Sequence, residues 1–196
     1  AGRFDQAQVL NRSGVVDEFA SDVEAVRVAG GRLLLLVANA GPGSSSAYEW
    51  DQAAEAFVFL QQLPGGGYAS AVEAFSAGGQ TYAAVAHTRN ATSYDAPSVV
   101  LRWDAASSRL VPHQEIETHG AAAVSFASVF GDAGEAVGVL AFANGVGTDE
   151  EIVRSSPGFD TVGSSLGSGC ALAFTLSRPR TLPGYRRLGH SVAPRE

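Results

Sequence analysis

Short apolar runs separated by turn residues recur along most of the chain. SAVEAFSA (Ser70–Ala77) and QTYAAVAH (Gln80–His87) flank a Gly78-Gly79 pair, which predicts a β-hairpin with a tight turn. SVVLRWD (Ser98–Asp104) alternates and ends in Trp-Asp, and RLVPHQEIE (Arg109–Glu117) follows the short loop AASS. That makes four successive strands joined by short connections. The longest apolar run, LLLLVA (Leu33–Ala38), has the length of a buried strand and falls well short of a membrane-crossing helix. Only DQAAEAFVFLQQL (Asp51–Leu63) competes as a helix, since Ala and Glu favour one. Its counterpart DAASSRLVPHQEI carries Pro112 and a Ser-Ser pair, which suit a helix poorly, so strand is the expectation for both.

The pattern repeats. Gln8-x-Leu10, Gln61-x-Leu63 and Gln114-x-Ile116 are spaced by 53 residues each, and YEWD (Tyr48–Asp51) lies 53 before LRWD (Leu101–Asp104). Between these anchors fall DVEAV (Asp22–Val26), AVEAF (Ala71–Phe75) and AVSF (Ala123–Phe126). Each is followed by a glycine turn and an apolar run: GGRLLLLVAN (Gly30–Asn39), GGQTYAAVAH (Gly78–His87) and GEAVGVLAFAN (Gly134–Asn144). Four strands per unit at this period are the signature of propeller blades. The fold class expected is all-β, a partial β-propeller of about three four-stranded antiparallel blades over residues 1–160. Each blade buries its faces against neighbours, so three alone leave two apolar faces open. Further blades of the same chain, or self-association, are expected to cover them.

Composition changes this picture at the end of the chain. All 13 basic residues are arginine, and there is no methionine, so the sequence is expected to be a piece of a longer protein. Residues 1–160 hold 19 of the 20 acidic residues against 8 arginines, a net −11, whereas residues 161–196 hold 5 arginines and one glutamate, a net +4. The acidic body argues against a nucleic-acid surface. The Gly/Ser/Arg/Pro-rich stretch 161–196 shows no blade pattern and is expected to be a disordered basic tail, with CALAFTL (Cys170–Leu176) as its one strand candidate. The lone Cys170 forms no internal disulfide, which leaves the compartment open.

QEIETHGA (Gln114–Ala121), VAN (Val37–Asn39), FAN (Phe142–Asn144) and LRWD, in this order, resemble the EAR or EPTP (epilepsy-associated) repeat. The resemblance covers roughly residues 4–155. It implies a propeller in a secreted or cell-surface protein that recognises an extracellular receptor or adhesion partner and performs no chemistry. It also implies room for a calcium ion in the propeller channel, for which Asp22 is the best-placed ligand. The equivalent positions, Ala71 and Ala123, offer no side-chain oxygen. Departures from the repeat are NRSGVVDEFAS in copy 1, PGGGYAS and His87 in copy 2, and EEIVRSS (Glu150–Ser156) where copy 3 should carry Trp-Asp.

Other candidate chemistry is thin. GSSLG (Gly163–Gly167) matches the G-x-S-x-G elbow of serine hydrolases, but after Ser165 only His190 and Glu196 follow, in the wrong order. A propeller-fold hydrolase, or a structural fragment without autonomous function, is therefore the alternative to a binding module. His87, His113 and His119 have no metal-ligand spacing, and Asp149-Glu150-Glu151 lacks the alternating oxygens of a calcium loop. Asn11-Arg12-Ser13 and Asn90-Ala91-Thr92 are N-glycosylation sequons, both in predicted loops. Trp50 and Trp103 recur at one strand end, which points to packing.

Overall fold

The computed structural model describes residues 7–12, 15–16, 19–41, 45–130, 136–145, 159–161 and 171–176. All regular structure in them is strand. A small hairpin of β1 (Asn11–Arg12) and β2 (Val15–Val16) precedes three four-stranded antiparallel sheets. Blade 1 runs in chain order through β3 (Ala20–Arg27), β4 (Leu33–Asn39), β5 (Ser46–Asp51) and β6 (Ala56–Gln62). Blade 2 repeats this with β7 (Tyr68–Ala77), β8 (Gln80–Arg89), β9 (Ser98–Asp104) and β10 (Arg109–Ile116). The expected strands are therefore present, and Ala56–Gln62 is strand as predicted. In the hairpin of β7 and β8, Ala77 pairs with Gln80 across a two-residue turn. Gly78 and Gly79 both take positive φ (59° and 78°), as that turn demands.

Blade 3 departs from the simple order. β11 (Ala121–Phe130) and β12 (Ala136–Asn144) form its inner hairpin, but the third position is taken by β14 (Ala171–Leu176) and the outermost by β13 (Phe159–Thr161). The strand candidate CALAFTL is thus placed in the third sheet. EEIVRSS and the rest of the tail lie outside the described residues.

Apolar side chains alternate between two cores, one on each side of blade 2. Leu34, Leu36 and Ala38 of blade 1 meet Ala83, Val85, Leu101 and Trp103 of blade 2. The residues between these in sequence, Tyr82, Ala84, Ala86 and Val100, face the other way and pack on Val124, Leu140 and Phe142 of blade 3. Val37, Val85 and Leu140 are all buried, and the turns at Gly30-Gly31 and Gly78-Gly79 are exposed, as the hairpin reading requires. Each buried aliphatic side chain contributes about 1.5–3 kcal/mol. Among the described residues, the face of blade 1 turned away from blade 2 has no such partner. Val23 there is 54% exposed, against 3% for Val72 and 9% for Val124 at the same place in blades 2 and 3.

Polar ties repeat beside the apolar ones. A β-bulge falls at the start of every inner strand, at Ala20/Asp22, Ala69/Ala71 and Ala121/Ala123. It turns Ser21 toward the Ala69 carbonyl (2.8 Å) and Ser70 toward that of Ala121 (2.6 Å), each in the next blade. The recurring glutamine does the same at the outer edge. The Gln61 side-chain amide donates to the Leu110 carbonyl (3.0 Å) and accepts from the Leu110 N–H (2.9 Å). Gln8 grips Phe57 in the same two-bonded way, at 2.7 and 2.9 Å. A primary amide presents a donor and an acceptor side by side, so it pairs with one residue of a neighbouring strand as a backbone would. Gln114 holds the equivalent place on β10, but its Oε1 is buried without a partner, because the outer part of blade 3 does not follow the repeat.

Replacing Gln61 by Ala should cost about 1–3 kcal/mol, since it strands both backbone groups of buried Leu110. Gln8→Ala should cost less, because that pair is open to water. Urea denaturation of the two variants checks this, and equal losses would refute an interior tie.

Candidate functional site

Antiparallel blades put alternate connections at opposite ends. One end carries the Gly-Gly hairpin turns and the turns after Trp-Asp. The other carries the β4–β5 and β8–β9 loops together with the links between blades. Asp51 and Asp104 close the turns after Trp-Asp by accepting backbone N–H bonds, Asp51 from Ala53 (2.8 Å) and Ala54 (3.0 Å), Asp104 from Ser107 (3.1 Å). The second end is different, because there the loops of adjacent blades are bonded to each other.

The β8–β9 loop (90–97) is held along its whole length. Asn90 Oδ1 accepts from the N–H groups of Thr92 and Ser93, both at 2.8 Å, and from the Thr92 hydroxyl at 3.1 Å. Ser93 Oγ accepts from the Asp95 N–H (2.9 Å). These are the local side-chain bonds that let Asn and Ser replace a hydrogen-bonded ladder in turns. The β10–β11 link then joins on. Gly120 N–H donates to the Tyr94 carbonyl (2.8 Å), the Thr118 hydroxyl to that of Ala96 (3.0 Å), and His119 Nδ1 meets Asp95 Oδ1 at 2.5 Å. Asn144 of blade 3 accepts from the His119 N–H (3.2 Å), and Gly145 N–H donates to the Gly120 carbonyl (2.8 Å). The result is a platform that crosses from blade 2 to blade 3.

Two aromatic side chains stand out from this end. Tyr94 is 50% exposed on the β8–β9 loop, and Phe19 is 54% exposed where the chain enters blade 1. The Phe19 carbonyl accepts from the Ala40 N–H (2.8 Å), and the lack of a side chain at Gly41 leaves room for its ring. At the same end, the Arg89 guanidinium lies 4.2 Å from the Tyr68 ring centroid, a cation–π contact. Sequence reasoning missed all four residues. For Tyr94 the available signal was the length of RNATSYDAPS, a connection that keeps one large aromatic among turn residues.

The two oddities of copy 2 explain each other. His87 sits where Asn39 and Asn144 end the equivalent strands, and it is buried. Its Nδ1–H donates to the Pro97 carbonyl at 2.8 Å. The larger ring occupies space that the PGGG loop must leave free. A Cβ on Gly65 would lie 2.7 Å from His87 Cε1, and one on Gly67 would lie 2.8 Å from His87 Cγ. Burial pushes the imidazole below its ordinary value, only partly opposed by the bond to Pro97.

The remaining candidates separate. Trp103 is buried between blades 1 and 2, roofed by Arg32 at 5.1 Å from its ring centroid, while Glu49 holds that arginine through two bonds of 2.5 and 2.6 Å. The bond to Arg32 draws the Glu49 carboxyl below its usual range. Trp50 is half-buried on blade 1, edge-on to Phe57 at 5.2 Å. Asp22 accepts from the N–H groups of Val23 (2.9 Å) and Val72 (3.0 Å), so here it ties blade 1 to blade 2. Among the described residues no three His, Cys, Asp or Glu side chains converge in a metal-holding group. His87, His113 and His119 lie apart. The His119–Asp95 pair is a dyad in form, yet His119 Nε2 is closed off from solvent without a partner, out of reach of any reacting molecule. Asn11 lies on β1, Asn90 opens the platform loop, and Ser165 lies outside the described residues.

Comparison with known proteins agrees with this architecture. Residues 56–104 match the family model of the EPTP domain. No curated protein matches the chain. The matched span begins on β6 and ends on β9, so one sequence repeat supplies the outer strand of one blade and three strands of the next.

His87 gives a pH dependence. The unfolded chain takes up a proton near the ordinary histidine value of 6.5, whereas folded His87 resists protonation until lower pH. Stability should therefore fall as pH drops below 6.5 toward the lowered folded value. Melting temperatures between pH 7.5 and 5.5 should decline less steeply for His87→Asn, which restores the residue of the other copies.

Proposed function

From the match of residues 56–104 to the EPTP domain, we propose that the chain is a non-catalytic protein-binding module of the EAR/EPTP repeat kind. It belongs to a secreted or cell-surface protein and acts in receptor or adhesion recognition. The binding face is the loop end of the blades. The observation that carries this reading is the display of Tyr94 and Phe19 on backbone held by hydrogen bonds. Exposed aromatics on a fixed frame are what dominate protein interfaces, because they bury large area at small entropy cost. The partner is an extracellular protein offering an apolar pocket with polar groups at its margin, to meet Asp95 and Arg89.

The outward faces of the array serve assembly. The exposure of Val23, at a position that is buried in both other blades, supports the docking of a further blade or of another chain against blade 1.

The test is capture of cell-surface proteins by the immobilised chain. The double variant Tyr94→Ala/Phe19→Ala should lose about thirtyfold in apparent affinity, the scale of interface hot spots, with unchanged melting. Trp103→Ala should lose capture together with about 3–5 kcal/mol of stability. Undiminished capture by the double variant would exclude the loop face, and absence of capture from any cell surface would exclude the binding function.

A further inference from the structure

We propose that Asn90 is an acceptor for an N-linked oligosaccharide. The inference rests on the secretory reading above and adds a modification site on the same loop. Asn90-Ala91-Thr92 has the acceptor amide, a middle residue other than proline, and a hydroxyl two positions on. Many such triplets are shut inside a strand or a core. This one is not. β8 ends at Arg89, and Ala91 and Thr92 are exposed.

The side-chain geometry favours the same end. Asn90 Oδ1 accepts all three bonds that close the turn, from Thr92 N–H, Thr92 Oγ1–H and Ser93 N–H. These fix the amide plane by its oxygen edge alone. Nδ2 on the other edge donates to no group among the described residues, and it is not among the buried atoms that lack a partner. A glycan on Nδ2 therefore disturbs no bond of the fold. Its stem leaves the loop four residues before Tyr94, so it stands at the margin of the proposed binding face and limits the direction from which a partner approaches.

The transfer balances without a redox step. Asn90 Nδ2 attacks the anomeric C1 of a polyprenyl-diphosphate-linked oligosaccharide on the transferase. The Nδ2–C1 bond forms, the bond from C1 to the diphosphate oxygen breaks, the polyprenyl diphosphate leaves, and one amide proton passes to a base of the enzyme. Asn11 carries the second sequon. It sits on β1, paired with β2, with Val16 opposite it in register.

The full chain, sent through the secretory route of cultured eukaryotic cells behind a cleavable leader, gives the test. Most secreted molecules should carry a mass increment that peptide:N-glycosidase removes, leaving Asp at position 90. Asn90→Gln and Thr92→Ala should each abolish it, and Thr92→Ser should retain it. Thr92→Ala keeps the two N–H bonds to Asn90, so it remains informative even where Asn90→Gln folds poorly. An unmodified Asn90 in secreted, folded chain overturns the site, as does a glycan confined to Asn11 and lost only in Asn11→Gln. Because the leader imposes secretion, these outcomes judge the site independently of the binding function. A glycan at Asn90 on a chain that captures no cell-surface protein would refute that function and leave the site standing.

Discussion

A four-stranded sheet with apolar residues on both faces cannot stand alone in water. Everything in this chain follows from that constraint. On β8, Ala83 and Val85 enter one core while Tyr82, Ala84 and Ala86 enter another, so a single strand is committed to two neighbours at once. Small residues dominate because two sheets must approach closely on either side. A few large ones also fill the inter-blade space, Trp103 against blade 1 and the Phe75–Phe126 stack (centroids 4.3 Å apart) between blades 2 and 3. Hydrophobic burial supplies the attraction, but it is non-directional and sets no register.

Register comes from the polar ties. Ser21, Asp22 and Gln61 of blade 1 bond to backbone groups of blade 2, and Ser70 and Glu73 of blade 2 bond to blade 3, Glu73 through the Phe126 N–H at 3.1 Å. Sliding one blade by a residue would break these bonds together. The sequence repeat runs from an outer strand into the following blade, so covalent linkage and hydrogen bonding stitch the same junctions. Where the repeat fails, so do the ties. Ala122 replaces the bulge serine in blade 3, and Gln114 keeps an unpaired oxygen beside the sheet whose outer strands run out of chain order.

The blades were legible because their signals are periodic. Glycine pairs, alternating runs and Trp-Asp ends each recur at a fixed spacing, and pattern survives even where residues change. The role of Gln8 and Gln61 was not legible. Their recurrence marked them as anchors, but a glutamine's partner 49 residues away has no local trace. His87 and the PGGG loop looked like two independent lapses, and only three-dimensional contact shows one substitution making room for the other. The order of β13 and β14 was hidden for a related reason. A short strand can be named from composition, but its place in a sheet depends on edges left open by other strands. The platform loop was least legible of all, since turn residues announce a loop and not the neighbour to which it is bonded.

That bonding bears on what the loop end can do. A loop that orders only on binding spends part of its interaction energy on lost conformational freedom, about 0.5–1.5 kcal/mol for each side chain that becomes fixed. Here the backbone around Tyr94 is already tied on both sides, through the Asn90 turn within its own blade and through Gly120 toward the next. Tyr94 itself contributes only two side-chain torsions to be fixed. The same bonds that relay register between blades 2 and 3 thus hold the exposed ring in place. Loops that are also inter-blade joints cannot loosen without loosening the contact between blades 2 and 3. Under the proposed binding role, stability and binding are coupled at this end of the molecule, whereas the Gly-Gly turns at the opposite end, which among the described residues bond to no neighbouring blade, lie outside that coupling.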